Sequence, residues 1–192
     1  ATRDVALASV AAVTAYGESN LSASESVEIL VGTVEQGNLA AEVLSGVIGR
    51  VIGIAAELGV AFEDVGGFIA SFSRLGVSAA ESTTALRGIL NSILKPTEDT
   101  KKAFENLNMS VSGFQDQIQE QGFTVAMQNL VNRSREMDVS LGRVFPSVEG
   151  LAGVLGVFGG EAGKAEEVLD GVSAAVGTLE DRFQAVIDQD PA

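Results

Sequence analysis

The sequence predicts an all-α protein, a multi-helix bundle of short amphipathic helices joined by glycine and proline turns. Three observations carry this: apolar residues recur at spacings of three and four along nearly the whole chain, glycine or proline closes each periodic run, and strict alternation is almost absent. At 46% hydrophobic and 20% charged, the 192 residues can bury about two thirds of their surface, which speaks against intrinsic disorder. The apolar content is mostly Ala, Val, Leu, Ile and Gly, with no Trp and 5% aromatics, a composition for close packing over small side chains.

A leading helix occupies residues 1–20. Gly17, Gly37, Gly59 and Gly76 each follow a periodic run and are expected in the left-handed conformation that closes a helix. Ala40, Val43, Leu44, Val47, Ile48, Val51, Ile52, Ala55 and Leu58 form one helical apolar face, with Glu42, Gly46, Gly49, Gly53 and Glu57 opposite. Leu58-Gly59-Val60 and Leu75-Gly76-Val77 echo each other 17 residues apart. Ser78 and Glu81 make a capping box that starts a helix at about residue 79, with Leu86, Ile89, Leu90, Ile93 and Leu94 as its apolar positions. Pro96 stops it, and Thr97 caps the next helix, to about Leu107.

Residues 108–113 read as a turn with a hint of strand-like alternation, and helices resume at Phe114 and from Phe123 to Met137. From Ser140 a helix is interrupted at Pro146. Glycines follow at every third position, Gly150, Gly153, Gly156 and Gly159, and then a last amphipathic stretch carries Ala165, Val168, Leu169, Val172, Val176, Leu179, Phe183 and Val186. The organisation is a leading helix at 1–20, a helical core at 21–137 and a glycine-rich helical hairpin at 138–192. With Ala1 in first place instead of Met, the chain reads as a piece of a longer polypeptide.

Chemistry is narrowed by what is missing. The chain has no Cys and no His, which removes disulfides, thiol nucleophiles, zinc sites and imidazole acid/base catalysis. The net charge is −14, and the 12 basic residues are scattered, so a phosphate backbone finds no basic cluster and no specific nucleic acid is expected as a partner. The longest apolar stretch, Leu39 to Phe62, is interrupted by Glu42, Arg50 and Glu57 and does not read as a membrane span.

Four patterns admit a functional and a structural reading. Residues 55–65 could pass for a helix-turn-helix, but its reading face would offer Glu63 and Asp64 to phosphates, so two helices packed at a glycine turn is the better account. Ser92 and Lys95 fit a Ser-x-x-Lys pattern without its companion elements, and a helix end with Lys95 near the dipole explains them. The acidic pairs Glu63-Asp64, Glu98-Asp99, Glu166-Glu167 and Glu180-Asp181 lack a calcium-loop frame and read mostly as first-turn or solvated-face charges; no cofactor or metal is expected. Small residues are the interface candidates: Ser45, Gly49 and Gly53 on one helix, and Gly150, Gly153, Gly156 and Gly159 on another. The second set lies in eleven charge-free residues, which read either as a close helix crossing or as a segment able to rearrange or enter a membrane.

Leu58-Gly59-Val60-Ala61-Phe62-Glu63-Asp64-Val65, then Leu75-Gly76-Val77, Thr84-Ala85-Leu86-Arg87 and Leu94-Lys95-Pro96-Thr97 resemble, in order and spacing, the core of phage tail tape measure proteins. Val144-Phe145-Pro146-Ser147-Val148 with Leu151 and Leu155 resembles a later region of the same family. The resemblance covers about residues 21 to 187, with departures at Ala61, where serine often caps, and Glu149, where arginine is usual. It implies a non-enzymatic virion protein, held in the tail tube lumen or tail tip, that sets tail length during assembly and leaves ahead of the DNA. Implied partners are further copies of itself, the tail tube protein, tail tip or baseplate hub proteins and tail assembly chaperones. The alternative is a membrane-active module that meets the host membrane after ejection. Family-motif residues by number are Leu58, Gly59, Val60, Leu75, Gly76, Thr84, Ala85, Leu86, Arg87, Lys95 and Pro96.

Overall fold

In the computed structural model, residues 2–160 and 164–178 are described, and they form twelve α-helices with no strand among them. The first five are α1 (Thr2–Tyr16), α2 (Ala23–Gly37), α3 (Ala41–Val47), α4 (Gly49–Leu58) and α5 (Phe62–Ser73). Next come α6 (Ala79–Leu94), α7 (Glu98–Asn106), α8 (Val111–Gln121) and α9 (Phe123–Glu136), followed by α10 (Leu141–Val144), α11 (Val148–Phe158) and α12 (Lys164–Ser173).

At the centre lies α5, whose residues from Asp64 to Ala70 are all buried, as are Phe62 and Phe72. Helices α2, α6 and α12 surround it. In turn α6 is flanked by α4 and α11, while α1 rests on α2, α3 and α4. The chain therefore returns at α11 and α12 to a core begun by its first half. Six phenylalanines, Phe62, Phe104, Phe114, Phe123, Phe145 and Phe158, are almost wholly inside one continuous apolar cluster. Ring contacts knit both consecutive and distant helices, with the Phe104 and Phe114 centroids of α7 and α8 5.4 Å apart and Phe123 of α9 edge-on to Phe158 of α11 at 6.1 Å.

Local rules explain most boundaries. Ser22 with Glu25 and Ser78 with Glu81 form complete capping boxes at α2 and α6, and Thr97, Ser110, Ser140 and Ser147 cap α7, α8, α10 and α11 with their hydroxyls. Gly17, Gly59 and Gly76 hold the expected left-handed backbone, at φ 83°, 73° and 87°. Ala61 precedes α5 without a side-chain cap.

Three expectations are corrected. Gly37 stays inside α2, because a Cβ there would lie 3.0 Å from the Ala70 Cα; its neighbour Asn38, at φ 50°, takes the left-handed position instead. The face from Ala40 to Leu58 is split between α3 and α4 at Ile48, where the Val51 N–H turns to the Ile48 carbonyl at 3.1 Å, and Val43 is half exposed. Residues 108–113 hold no strand: Asn108 at φ 52° turns the chain and α8 starts at Val111, three residues ahead of Phe114. Leu179, Phe183 and Val186, assigned to the last amphipathic stretch, lie outside the described residues.

Candidate functional site

The first motif turn is tied to the far half of the chain by polar groups. Gly59 ends α4, its Val60 neighbour donates back to the Ala55 carbonyl at 2.9 Å, and Leu58 and Val60 point inward. Tyr16, at the end of α1, donates its hydroxyl to the Val60 carbonyl at 2.8 Å and packs its ring on Phe62. Burial first, then the charges of Asp64 and Glu63, push the Tyr16 phenol well above its ordinary value, so it remains a neutral donor.

Asp64 turns into the protein, only 5% exposed. Its carboxylate accepts from the Phe123 N–H at 3.1 Å, the Thr124 N–H at 3.2 Å and the Thr124 hydroxyl at 2.7 Å. Helix α9 begins after Gly122 without a cap of its own, so Asp64 serves as its cap from 59 and 60 residues away. Asp64 is the first-turn acid that the reading of the Glu63-Asp64 pair allowed, but it is buried, not solvated. The signal was present in the spacing: Asp64 shares a helical face with Phe68 and Phe72, both buried, whereas Glu63 is rotated toward solvent and half buried. A second buried carboxylate, Glu28 on α2, accepts from the Gly177 N–H at 2.8 Å and fastens the chain beyond α12.

The second half of the motif divides by face. Ala85 and Leu86 are buried in α6, while Thr84 and Arg87 are exposed and line a groove of about 240 Å³ with Arg50, Ser147 and Glu149. Gly76 turns the chain and leaves Leu75 59% exposed. Lys95 ends α6 in an exposed position before Pro96, and Ser92 donates its hydroxyl to the Gly88 carbonyl one turn back at 3.0 Å. A hydroxyl held by its own helix is a packing group, and the helix-end reading accounts for the pair. The helix-turn-helix resemblance likewise dissolves, since α5, which would have to enter a groove, is the most enclosed helix of the bundle.

The glycines separate just as sharply. Gly150 crosses Gly88 of α6 closely, with a Cβ at Gly150 falling 3.3 Å from the Ile89 nitrogen. A Cβ at Gly153 would lie 2.9 Å from Phe68 Cζ and 3.0 Å from Ala85 Cβ, and one at Gly156 would lie 2.8 Å from Phe72. Gly159 ends α11, and its carbonyl accepts from the Arg135 guanidinium. By contrast a Cβ at Gly49 or Gly53 meets nothing within 4 Å, and Ser45 beside them is half buried. Sequence reasoning missed the glycines that seat α12. Gly32 of α2 lies against Ala175 with 2.9 Å for an added Cβ, Gly67 of α5 lies against Leu169 at 2.9 Å, and Gly66 has no room beside Thr33. Gly66-Gly67 inside the apolar run Val65 to Phe72 was the available sign.

Turns, caps and close crossings are thus what the distinctive residues make, and they define a helical packing module. Among the described residues no three acidic side chains converge to hold a metal, and no helix is long and apolar enough to cross a membrane. The model of the family described as phage-related minor tail protein matches residues 1–184, and the chain belongs to that family. It is a phage tail protein. No curated protein and no solved structure matches it.

Proposed function

We propose that the chain is a folded module of a tape measure protein, one that sits in the tail tube lumen or at the tail tip, governs tail length during assembly and leaves ahead of the DNA. The observation that carries this reading is the order and spacing of the motif residues from Leu58 to Thr97 inside a tail-protein match that runs over residues 1–184. In a ruler, helix adds about 1.5 Å per residue, so 192 helical residues would measure roughly 290 Å. Among the described residues the longest helix has 16 residues and the chain folds back on itself, so this module contributes its folded width and the ruling length belongs to other parts of the protein.

Under this reading the partners are the tail tube protein, tail tip or baseplate hub proteins, assembly chaperones and further copies of the chain. A net charge of −14 suits a protein that shares a narrow tube with DNA, since an acidic molecule is repelled by phosphates. The membrane alternative was motivated by the glycine segment 150–159, and Gly150, Gly153 and Gly156 are taken up in packing against α5 and α6.

Electron microscopy of particles carrying in-frame deletions tests the proposal. Loss of the whole protein should give missing or length-dispersed tails. Deleting residues 1–184 should shorten tails by far less than the roughly 280 Å that a fully helical ruler of that length would set. Tails of normal, uniform length in the absence of the protein would overturn it.

A further inference from the structure

The basic residues are scattered in the sequence, and the fold gathers four of them. Arg50 of α4 and Arg87 of α6 line the groove of about 240 Å³, together with Thr84, Asn91 and Ser147. A second groove, of about 610 Å³, is lined by Lys102 of α7 and Arg143 of α10, with Ala103, Gly142 and Pro146 as its uncharged part. The two adjoin where the chain passes from Pro146, in one, to Ser147, in the other. All four cations are exposed, and among the described residues none is in a salt bridge. Each groove also holds one carboxylate, Asp99 or Glu149. Both sit in the first turn of their own helices, α7 and α11, where the helix dipole accommodates them. Glu98, next to Asp99, is held by Lys101 at 2.6 Å. Four cations against two carboxylates leave the grooves with a positive surplus in a molecule of net charge −14.

We infer that these adjoining grooves dock a short acidic peptide segment of a partner protein, whose carboxylates are taken by Arg50 and Arg87 in one groove and by Lys102 and Arg143 in the other. A guanidinium presents paired N–H groups that match a carboxylate, and unpaired arginines in a concave setting are how proteins receive acidic motifs. Partners for the peptide backbone stand beside them. The Thr84 hydroxyl donates to the Ala80 carbonyl at 2.9 Å, which leaves its oxygen to accept. The Ser147 hydroxyl accepts from the Gly150 N–H at 3.0 Å, which leaves its proton to donate. Charge selects the occupant. A nucleic acid carries a charge at every phosphate and would run past the grooves onto the acidic surface, and a second copy of the chain would bring its own −14. A short segment sets carboxylates only where cations stand. Thr84 and Arg87, which the core does not use, thereby acquire a role. The inference names the chemistry of a partner and does not rest on the tail-length reading.

Fluorescence anisotropy tests it, with a labelled octapeptide of alternating glutamate and alanine titrated with the whole chain at low salt, beside a single-stranded oligonucleotide of equal charge. The peptide is expected to bind, and the oligonucleotide to bind about tenfold more weakly or less. Arg87→Gln with Arg143→Gln should weaken the peptide by about tenfold or more, with unchanged circular dichroism because both side chains are exposed. Arg3→Gln with Arg74→Gln removes the same charge from exposed positions outside both grooves and should alter binding by less than about twofold. Glu149→Gln should tighten binding by about two- to fivefold, since it takes a carboxylate out of the groove. No binding at low salt, equal losses in the two double variants, weaker binding in Glu149→Gln, or an oligonucleotide held as tightly as the peptide would each overturn the inference. Any of these would leave the tail-length reading standing, and normal tails without the protein would leave the docking surface standing.

Discussion

Helices α4 and α11 both carry glycine at helical spacing, and the fold treats them oppositely. On α11, Gly150, Gly153 and Gly156 bring its backbone against α6 and onto the rings of Phe68 and Phe72. On α4, Gly49 and Gly53 face open space. Spacing alone does not separate them. What differs is the company: Arg50 and Glu57 stand exposed on α4 beside its glycines, whereas α11 is charge-free from Gly150 to its end. A glycine face permits close approach, but desolvating neighbouring charges would cost more than the approach returns, so the charged face stays outside.

The comparison breaks most visibly under overpacking. Gly153→Leu should destabilise the chain by about 3 kcal/mol or more, because the first added carbon already collides with Phe68 and Ala85. Gly53→Leu should be neutral or stabilising by up to about 1 kcal/mol, since it fills no occupied space and removes an interior helix glycine. Paired thermal and urea melts would decide; equal losses at the two sites would mean that α11 does not pack on α6 as described.

Adjacent acids repeat the lesson with polar groups. Asp64→Ala should cost about 3 kcal/mol, leaving the Phe123 and Thr124 N–H groups buried without an acceptor, whereas Glu63→Ala should stay within about 0.5 kcal/mol. Hydrogen exchange offers a local readout, with Phe123 and Thr124 amides losing protection in the first variant and keeping it in the second. Unchanged protection at α9 in Asp64→Ala would remove the clamp from the account.

The smallest effect lies at an exposed cap. Hydrogen bonds from the Ser78 hydroxyl and backbone hold the Glu81 carboxyl below its ordinary value of 4.5. A carboxylate lowered on folding adds stability that is complete above its unfolded value and disappears as pH falls through the folded one. Glu81→Gln should therefore narrow the stability gap between pH 7 and pH 3 slightly. An acid limb identical to that of the natural chain would show the cap to be inert.

Much of the fold was legible because helix ends are local. Ser78 and Glu81 signalled the start of α6, and the same signature at Ser22 and Glu25, passed over in the sequence, starts α2. Pro96 and Thr97 marked the change from α6 to α7. Gly37 misled, since glycine serves either a left-handed turn or a close crossing, and only the approach of Ala70 decides between them. Asp64 was legible in part, through its place on the stripe of Phe68 and Phe72, yet nothing near it in sequence names Phe123 and Thr124 as its partners.

By itself, then, the sequence determined the all-α class, most helix boundaries and the motif order that marks a phage tail protein. These rest on contacts within about four residues, where backbone hydrogen bonding and side-chain periodicity act directly. The tertiary structure alone decided which glycine face is used, which carboxylate is buried and where α12 docks. Each of those depends on what arrives from far along the chain: Gly150 at Gly88, Phe123 at Asp64, Gly177 at Glu28. Burial and close approach are properties of pairs of surfaces, and a local pattern describes only one member of each pair.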